Sequence, residues 1–145
     1  MQSALFDSSL YIAALRRGDA AVLELRRFSD GPLWLSAIVL QELYAGASGP
    51  ARQQVERLEH NFGRSKRILV PNLNDWTQTG RVLARIAAKY RYEKSGWARL
   101  TNDALIAASA GRMGIRVITA KEREFARLAE FRSFQWELSV FLGLE

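Results

Sequence analysis

The segment ALFDSSLYI, residues 4–12, carries the local pattern on which the fold depends. Its first three residues form a short apolar run that is typical of a buried strand, and Asp7 follows that run directly. Ser8 or Ser9 can then cap the helix that the next residues predict. A strand that passes through a single acidic residue into a helix is the repeating unit of an α/β protein.

The same alternation continues along the rest of the chain. Apolar runs predict strands at residues 4–6, 33–35, 68–70, 115–118 and 133–136. Amphipathic or capped segments predict helices at residues 10–16, 20–28, 37–44, 51–61, 74–90, 105–113 and 121–128, with a polar loop at residues 91–98. Such alternation is typical of a parallel sheet covered by helices on both faces. The sequence therefore predicts an α/β fold, a three-layer α/β/α sandwich with a short central parallel sheet.

The composition limits the classes of function. At 145 residues, the chain predicts a single domain over residues 1–145. It contains no cysteine, which excludes disulfides and thiolate zinc sites, and its one histidine, His60, cannot build a histidine-rich metal site. The net charge of +6 favours an acidic partner such as nucleic acid. No apolar run approaches a membrane span, so a cytoplasmic location is expected.

Four acidic residues lie where predicted strands give way to helices: Asp7, Glu42, Asp103 and Glu124. In a parallel sheet the carboxyl ends of the strands share one edge, where the active site of an α/β protein lies. Carboxylates gathered at such an edge repel one another unless a cation holds them. Hard oxygen ligands of this kind suit Mg²⁺ or Mn²⁺. The sequence thus predicts a site for one of these ions.

Each of these acids also has an ordinary structural explanation. Asp7 is suited to a turn or a helix start, and Asp103 to a favourable position beside the dipole of its helix. Glu42 lies on the apolar stripe of its helix, where a buried ion pair with an arginine is the alternative to a functional role. Glu124 belongs to a charged run, and such runs are usually solvated. The combination of the four is more specific than any one of them.

Four segments, taken in order, resemble the PIN domain, and within it the VapC toxins of bacterial toxin–antitoxin pairs. They are residues 5–12 (LFDSSLYI), 35–46 (LSAIVLQELYAG), 102–107 (NDALIA) and 117–125 (VITAKEREF). The resemblance covers nearly the whole chain. It implies the PIN-like form of the α/β sandwich, and it implies a metal-dependent endoribonuclease that uses Mg²⁺ or Mn²⁺. It also implies an RNA substrate, a VapB-like antitoxin as partner, and a homodimer.

The resemblance also assigns roles to individual residues. It implies that the catalytic acids are Asp7, Glu42, Asp103 and Glu124, with Asp7 and Asp103 as metal ligands. Ser8 and Thr119 are expected to orient ligands or phosphate. The family usually has Asn or Asp where this chain has Lys121. A lysine cannot bind a metal ion there, so its ammonium is expected to lie at the acidic edge and to neutralise a carboxylate or hold a phosphate.

Basic and aromatic residues suggest where RNA could bind. Arg81, Arg85 and Lys89 recur at four-residue spacing and form one stripe on the helix at residues 74–90. Such a stripe would attract the RNA backbone, although a solvated helix face explains it equally well. Trp76 is predicted to lie on the inner face of this helix. Trp97 is expected to stack on a base or to lie against an antitoxin segment.

Two other classes of function remain to be weighed. A non-catalytic PIN-like module that binds RNA or protein is the alternative, because Lys121 departs from the family pattern. A haloacid-dehalogenase-type phosphatase also has an aspartate after its first strand. That chemistry requires a second acid two residues later, where this chain has Ser9. The phosphatase interpretation is therefore set aside.

Overall fold

A parallel β-sheet forms the centre of the computed structural model, which describes residues 1–91 and 94–139 without the side chains of Asp19, Phe28 and residues 94–99. Within these residues the sheet has five strands in the order β3-β2-β1-β4-β5, and all neighbours are parallel. The strands are β1 (Ala4–Phe6), β2 (Leu33–Ser36), β3 (Ile68–Leu69), β4 (Arg116–Thr119) and β5 (Trp136–Leu138). The predicted α/β fold with a short parallel sheet is confirmed.

Helices connect the strands throughout the described residues. They are α1 (Ser8–Arg17), α2 (Asp19–Glu24, continued by a 3-10 turn at Leu25–Phe28), α3 (Ala37–Gly46), α4 (Pro50–Arg64), α5 (Leu73–Tyr90), α6 (Lys94–Met113) and α7 (Glu122–Phe131). Helices α1 to α4 pack on one another, and α5 to α7 form a second group, with α3 touching α6 across the two. No helix of the described residues combines the length and apolarity that crossing a membrane requires.

The order of the strands creates a switch point between β1 and β4. From β1 the chain moves outwards to β2 and β3, and it then returns to place β4 on the other side of β1. Right-handed crossovers in opposite directions place their helices on opposite faces, which opens a crevice at the carboxyl ends of β1 and β4. Phe6 pairs with Ile118, and the backbone N–H of Asp7 donates to the carbonyl of Ile118 at 3.1 Å. Asp7 and Thr119 therefore meet at this crevice.

The prediction of a loop at residues 91–98 is wrong for residues 94–98, because α6 begins at Lys94. Leu100, Ala104 and Ala107 are buried and continue one inner face of this helix towards its amino end. Residues 94–99 carry few apolar side chains, so the sequence pattern there gave no helical signal. As a consequence, Asp103 lies well inside α6 rather than at its start, and the explanation by the helix dipole does not apply.

Three smaller predictions also change. Trp76 is 53% exposed instead of buried, because the buried face of α5 carries Asp75, Thr79, Val82 and Ile86 at helical spacing. The last strand begins at Trp136, three residues later than predicted. The amino-terminal cap of α1 is Asp7 itself and not one of the serines that follow it. The side chain of Trp97 lies outside the described residues.

Candidate active site

Asp7 is the central carboxylate of the crevice. Its side chain is fully buried, and both of its oxygens accept hydrogen bonds. Oδ1 accepts from the Ser9 backbone N–H at 3.1 Å and from the Ser9 hydroxyl at 2.5 Å, while Oδ2 accepts from the Thr119 hydroxyl at 2.6 Å. Burial raises the pKa of Asp7, although the hydrogen bonds from Ser9 and Thr119 and the charge of Lys121 oppose that rise. The carboxylate is thus held rigidly in a single orientation.

The two hydroxyls that hold Asp7 also fix the turn between β4 and α7. Thr119 Oγ1 accepts from the backbone N–H of Lys121 at 2.9 Å, and Ser9 Oγ accepts from the backbone N–H of Ala120 at 3.3 Å. The Thr119 hydroxyl, expected to orient a ligand or phosphate, therefore orients Asp7 in this structure. The sequence pattern identifies Ser9 as a possible helix cap, and no local pattern indicates that its side chain bridges two strand ends.

Asp103 forms an ion pair with Lys121 at the same crevice. The ammonium of Lys121 donates to Asp103 Oδ1 at 3.3 Å, and only 1% of Asp103 is exposed. Burial is the main cause that raises the pKa of Asp103 to about 7, and this net value already includes the lowering effect of Lys121 and the raising effects of Asp7 and Glu42. Three carboxylates from distant segments are therefore electrostatically coupled, as the predicted edge requires.

Lys121 is held firmly at this edge. Burial alone would lower the pKa of its ammonium, but the charges of Asp103, Asp7 and Glu42 outweigh that effect and raise it. The side chain therefore stays charged. The expectation that this ammonium lies at the acidic edge and pairs with a carboxylate is confirmed for the pair with Asp103.

Glu42 reaches the site from α3. Ser36 caps that helix as predicted, and its hydroxyl accepts from the backbone N–H of Ile38 at 3.1 Å. The Oε1 atom of Glu42 is buried and has no hydrogen-bond partner among the described residues, and no arginine pairs with the carboxylate there. A buried, unpartnered carboxylate oxygen is costly. A buried ion pair with an arginine, the structural explanation for Glu42, is thus not seen among the residues that the structure describes.

Glu124 lies apart from these three acids. It is half-buried in the first turn of α7 and lines a cleft of about 390 Å³ together with Tyr90, Arg123 and Arg127. The guanidinium of Arg127 packs on the Tyr90 ring, 4.3 Å from its centroid. The residues that line this cleft include none of Asp7, Glu42 and Asp103, and Glu124 is not among the charges that act on Asp103 or Lys121.

The remaining residues that were predicted to contact substrate differ in how exposed they are. Ser8 is the buried first residue of α1, beside Asp7. Arg81 and Arg85 are exposed on α5, as a stripe open to an RNA backbone requires. Lys89, the third member of that stripe, instead forms an ion pair with Glu130 of α7. The stripe that remains available is therefore shorter than the sequence predicts.

The donor set suits a small divalent ion. No group of three or more acidic, histidine or cysteine side chains within the described residues is arranged to hold a metal ion. Mg²⁺, however, keeps several waters and is usually held by only one or two carboxylates. Asp7 and Asp103 supply hard oxygen donors, and the unpartnered oxygen of Glu42 can accept a hydrogen bond from a coordinated water. These residues therefore fit a single hydrated ion.

Comparison with known proteins agrees with this architecture. The family model of the PIN domain matches residues 4–131. No curated protein matches the chain in sequence.

Several solved structures share the fold at low sequence identity. The DNA-bound VapBC of Salmonella typhimurium is 23% identical, with a TM-score of 0.67, and the match covers 95% of this chain and 98% of that one. VapBC2 of Rickettsia felis, bound to a DNA fragment from its promoter, is 19% identical with a TM-score of 0.66, over 96% of this chain and 100% of that one. VapBC-5 of Mycobacterium tuberculosis is 20% identical with a TM-score of 0.60, over 95% and 98%.

Proposed function

This chain belongs to the PIN domain family, and we propose that it is a divalent-metal-dependent endoribonuclease, the toxin of a toxin–antitoxin pair. The observation that carries the proposal is the pair of buried carboxylates, Asp7 and Asp103, coupled at the switch point of the sheet. Burying two like charges together is costly without function or a bound cation. The net charge of +6 adds a general attraction for RNA.

In this proposal the acids divide the work. Asp7 and Asp103 hold one Mg²⁺ or Mn²⁺. Bound there, such an ion would supply an activated water and a positive charge beside the scissile phosphate. Ser9 and Thr119 keep Asp7 oriented, so that its oxygens need not reorganise when the ion binds. Glu42 accepts a hydrogen bond from water through its unpartnered oxygen.

Substrate contacts lie outside this set of acids. Glu124 and its cleft are proposed to contribute through water or through bound RNA. Arg81 and Arg85 attract the phosphate backbone, and Ser8, which is buried beside Asp7, is proposed to orient a ligand or the phosphate.

The partners are also part of the proposal. The similar solved structures are VapBC complexes, two of them with DNA bound. We propose by analogy that a VapB-like antitoxin inhibits this chain and that the toxin forms a homodimer. The analogy rests on fold, and finding a small antitoxin reading frame beside the gene would support it independently.

The first experiment measures RNA cleavage by purified protein freed of antitoxin. Wild type is expected to cleave structured RNA only when Mg²⁺ or Mn²⁺ is present. Asp103→Asn is expected to lose activity while keeping its fold by circular dichroism. Asp30→Asn is the matched control, because Asp30 is exposed and makes none of the contacts of the site. Full activity in Asp103→Asn would remove Asp103 from the mechanism.

The second experiment measures metal binding without catalysis. Millimolar Mg²⁺ or Mn²⁺ should raise the melting temperature of wild type, because the ion binds the folded state and relieves repulsion between carboxylates. Asp7→Asn should reduce that shift, and Asp30→Asn should leave it unchanged. A melting temperature of wild type that does not respond to metal would contradict the assignment of the site.

A non-catalytic RNA- or protein-binding module remains the second candidate. The observation that favours it is the ion pair between Lys121 and Asp103, which satisfies part of the charge of the site without a metal. Binding of metal and RNA by wild type, without cleavage of any RNA tested, would support this candidate over the nuclease.

A further inference from the structure

Lys121 gives the acidic crevice a cation of its own. Its ammonium lies 3.3 Å from Asp103 Oδ1, and the carboxylate it faces is almost completely buried. We propose that Lys121 is the resident counter-ion of this site, which competes with divalent metal for Asp103 and limits the site to one ion. The inference rests on the proposed metal-dependent function and deepens it.

The position of Lys121 is built into the fold. Its backbone N–H donates to Thr119 Oγ1 at 2.9 Å, and the same hydroxyl donates to Asp7. The residue also precedes the first turn of α7 as its amino-terminal cap position. These contacts fix the base of the side chain at the carboxyl end of β4, so the ammonium is directed to the crevice. A lysine on an open helix face would have no such constraint.

The charges around Lys121 determine how many divalent ions the site can hold. Asp7, Glu42 and Asp103 all act on the Lys121 ammonium, and they bring three negative charges to the crevice when ionised. With the ammonium in place, two negative charges remain, and one divalent ion balances them. A second divalent ion would leave an excess of positive charge in a buried site, which is unfavourable. Without the ammonium, one divalent ion leaves a negative charge uncompensated, and a second ion leaves an excess of one positive charge instead of two, so a second ion is opposed less strongly.

The competing interpretation is that Lys121 assists the reaction instead of restraining metal. In that case the ammonium would leave Asp103 when RNA binds and would stabilise charge on the scissile phosphate. The two interpretations differ in what happens to metal affinity when the ammonium is removed. If Lys121 competes with metal, removing its ammonium should tighten metal binding. If Lys121 assists the reaction, removing its ammonium should leave metal binding unchanged or weaker and abolish cleavage.

Titration calorimetry with Mn²⁺ alone, without RNA, is the test. Wild type is expected to bind one ion, and Lys121→Met to bind the first ion at least about tenfold more tightly and to accept a second. Lys121→Arg keeps the positive charge and should behave as wild type does. Lys66→Met, which removes an exposed lysine, is the matched control for the loss of one charge from the whole protein. Lys121→Asn, which keeps a polar side chain, provides a second variant if Lys121→Met folds poorly.

The outcomes separate this inference from the proposed function. Two Mn²⁺ ions bound by wild type would overturn the inference without any variant. Equal or weaker Mn²⁺ binding by Lys121→Met would overturn it while leaving a metal-dependent nuclease intact. Absence of Mn²⁺ binding in every variant would overturn both the inference and the proposed metal site. Tighter binding that appears equally in Lys66→Met would assign the effect to overall charge, which also overturns the inference.

Discussion

Replacing Asp103 with asparagine should stabilise the metal-free protein although it is expected to abolish activity. Asparagine has nearly the shape of a protonated aspartate but never carries its charge. Asp103 is 1% exposed, so solvent screens its charge very little. Burial and the negative charges of Asp7 and Glu42 make the ionised Asp103 carboxylate unfavourable in the folded state. Removing its charge should therefore raise the free energy of unfolding.

The magnitude follows from the shift in pKa. Burial raises the pKa of Asp103 from 3.8 to about 7. Each pKa unit corresponds to about 1.4 kcal/mol, so the ionised side chain lowers the free energy of unfolding by about 4 kcal/mol. That shift already includes the attraction of Lys121, which asparagine loses. We expect a gain of about 2–4 kcal/mol at pH 8, or about 5–15 °C in melting temperature for a chain of this size.

The dependence on pH has a definite sign. Between pH about 4 and about 7, the folded state holds a proton on Asp103 more often than the unfolded state does. The stability that this group contributes is therefore greatest at low pH and falls as pH rises through that window. Above the pKa of Asp103 in the folded protein, the free energy of unfolding has lost this contribution completely and no longer changes with pH on its account. Asp103→Asn should remove this fall and flatten the stability profile between pH 4.5 and 8.

Urea denaturation followed by circular dichroism, with EDTA present to exclude metal, measures the effect at pH 4.5, 6 and 8. The exposed Asp30→Asn is the matched control and should follow the wild-type profile. Reasoning from burial would be refuted if Asp103→Asn were no more stable than wild type at pH 8. A loss of stability there would mean that the ion pair with Lys121 outweighs the cost of burying the carboxylate.

Two further predictions concern the helical layer that contains α5. Reversing the charge of Arg81 and Arg85 together should weaken RNA binding and lower its dependence on salt, because these exposed guanidinium groups would contact phosphates. Mn²⁺ binding should stay as in wild type. If the salt dependence of RNA binding, measured by fluorescence anisotropy, does not change, this face of α5 is an ordinary solvated one. Arg112→Met should lower the free energy of unfolding by about 3–5 kcal/mol in urea denaturation, because Asp75 accepts from Arg112 Nε at 3.0 and 3.1 Å and would be left buried without a cation, with only the Asn72 backbone N–H as donor among the described residues. A loss below about 1 kcal/mol would contradict this.

The family assignment and the outline of the site were accessible from local sequence. The apolar run before Asp7 and the serine cap before α3 are signals carried by neighbouring residues, and both appear in the structure. Alternation of strands and helices forces a parallel sheet, whose carboxyl ends share one edge. Local pattern was therefore sufficient to predict the edge at which Asp7, Glu42 and Asp103 interact, but it also predicted Glu124 there, and Glu124 lines a separate cleft. It failed where the pattern was weak, as at the start of α6 and at Trp76.

The state of each side chain at that edge was decided only by tertiary structure. Asp7 and Thr119 are 112 residues apart and meet because the order of the strands and the register of β1 against β4 place them side by side. The depth at which Asp103 is buried, and its pair with Lys121, depend on how α6 and α7 pack over the sheet. Burial and pairing set the pKa of a carboxylate, and both are properties of contacts between distant segments. Sequence periodicity specifies which face of an element turns inwards, but it does not specify which side chains that face will meet.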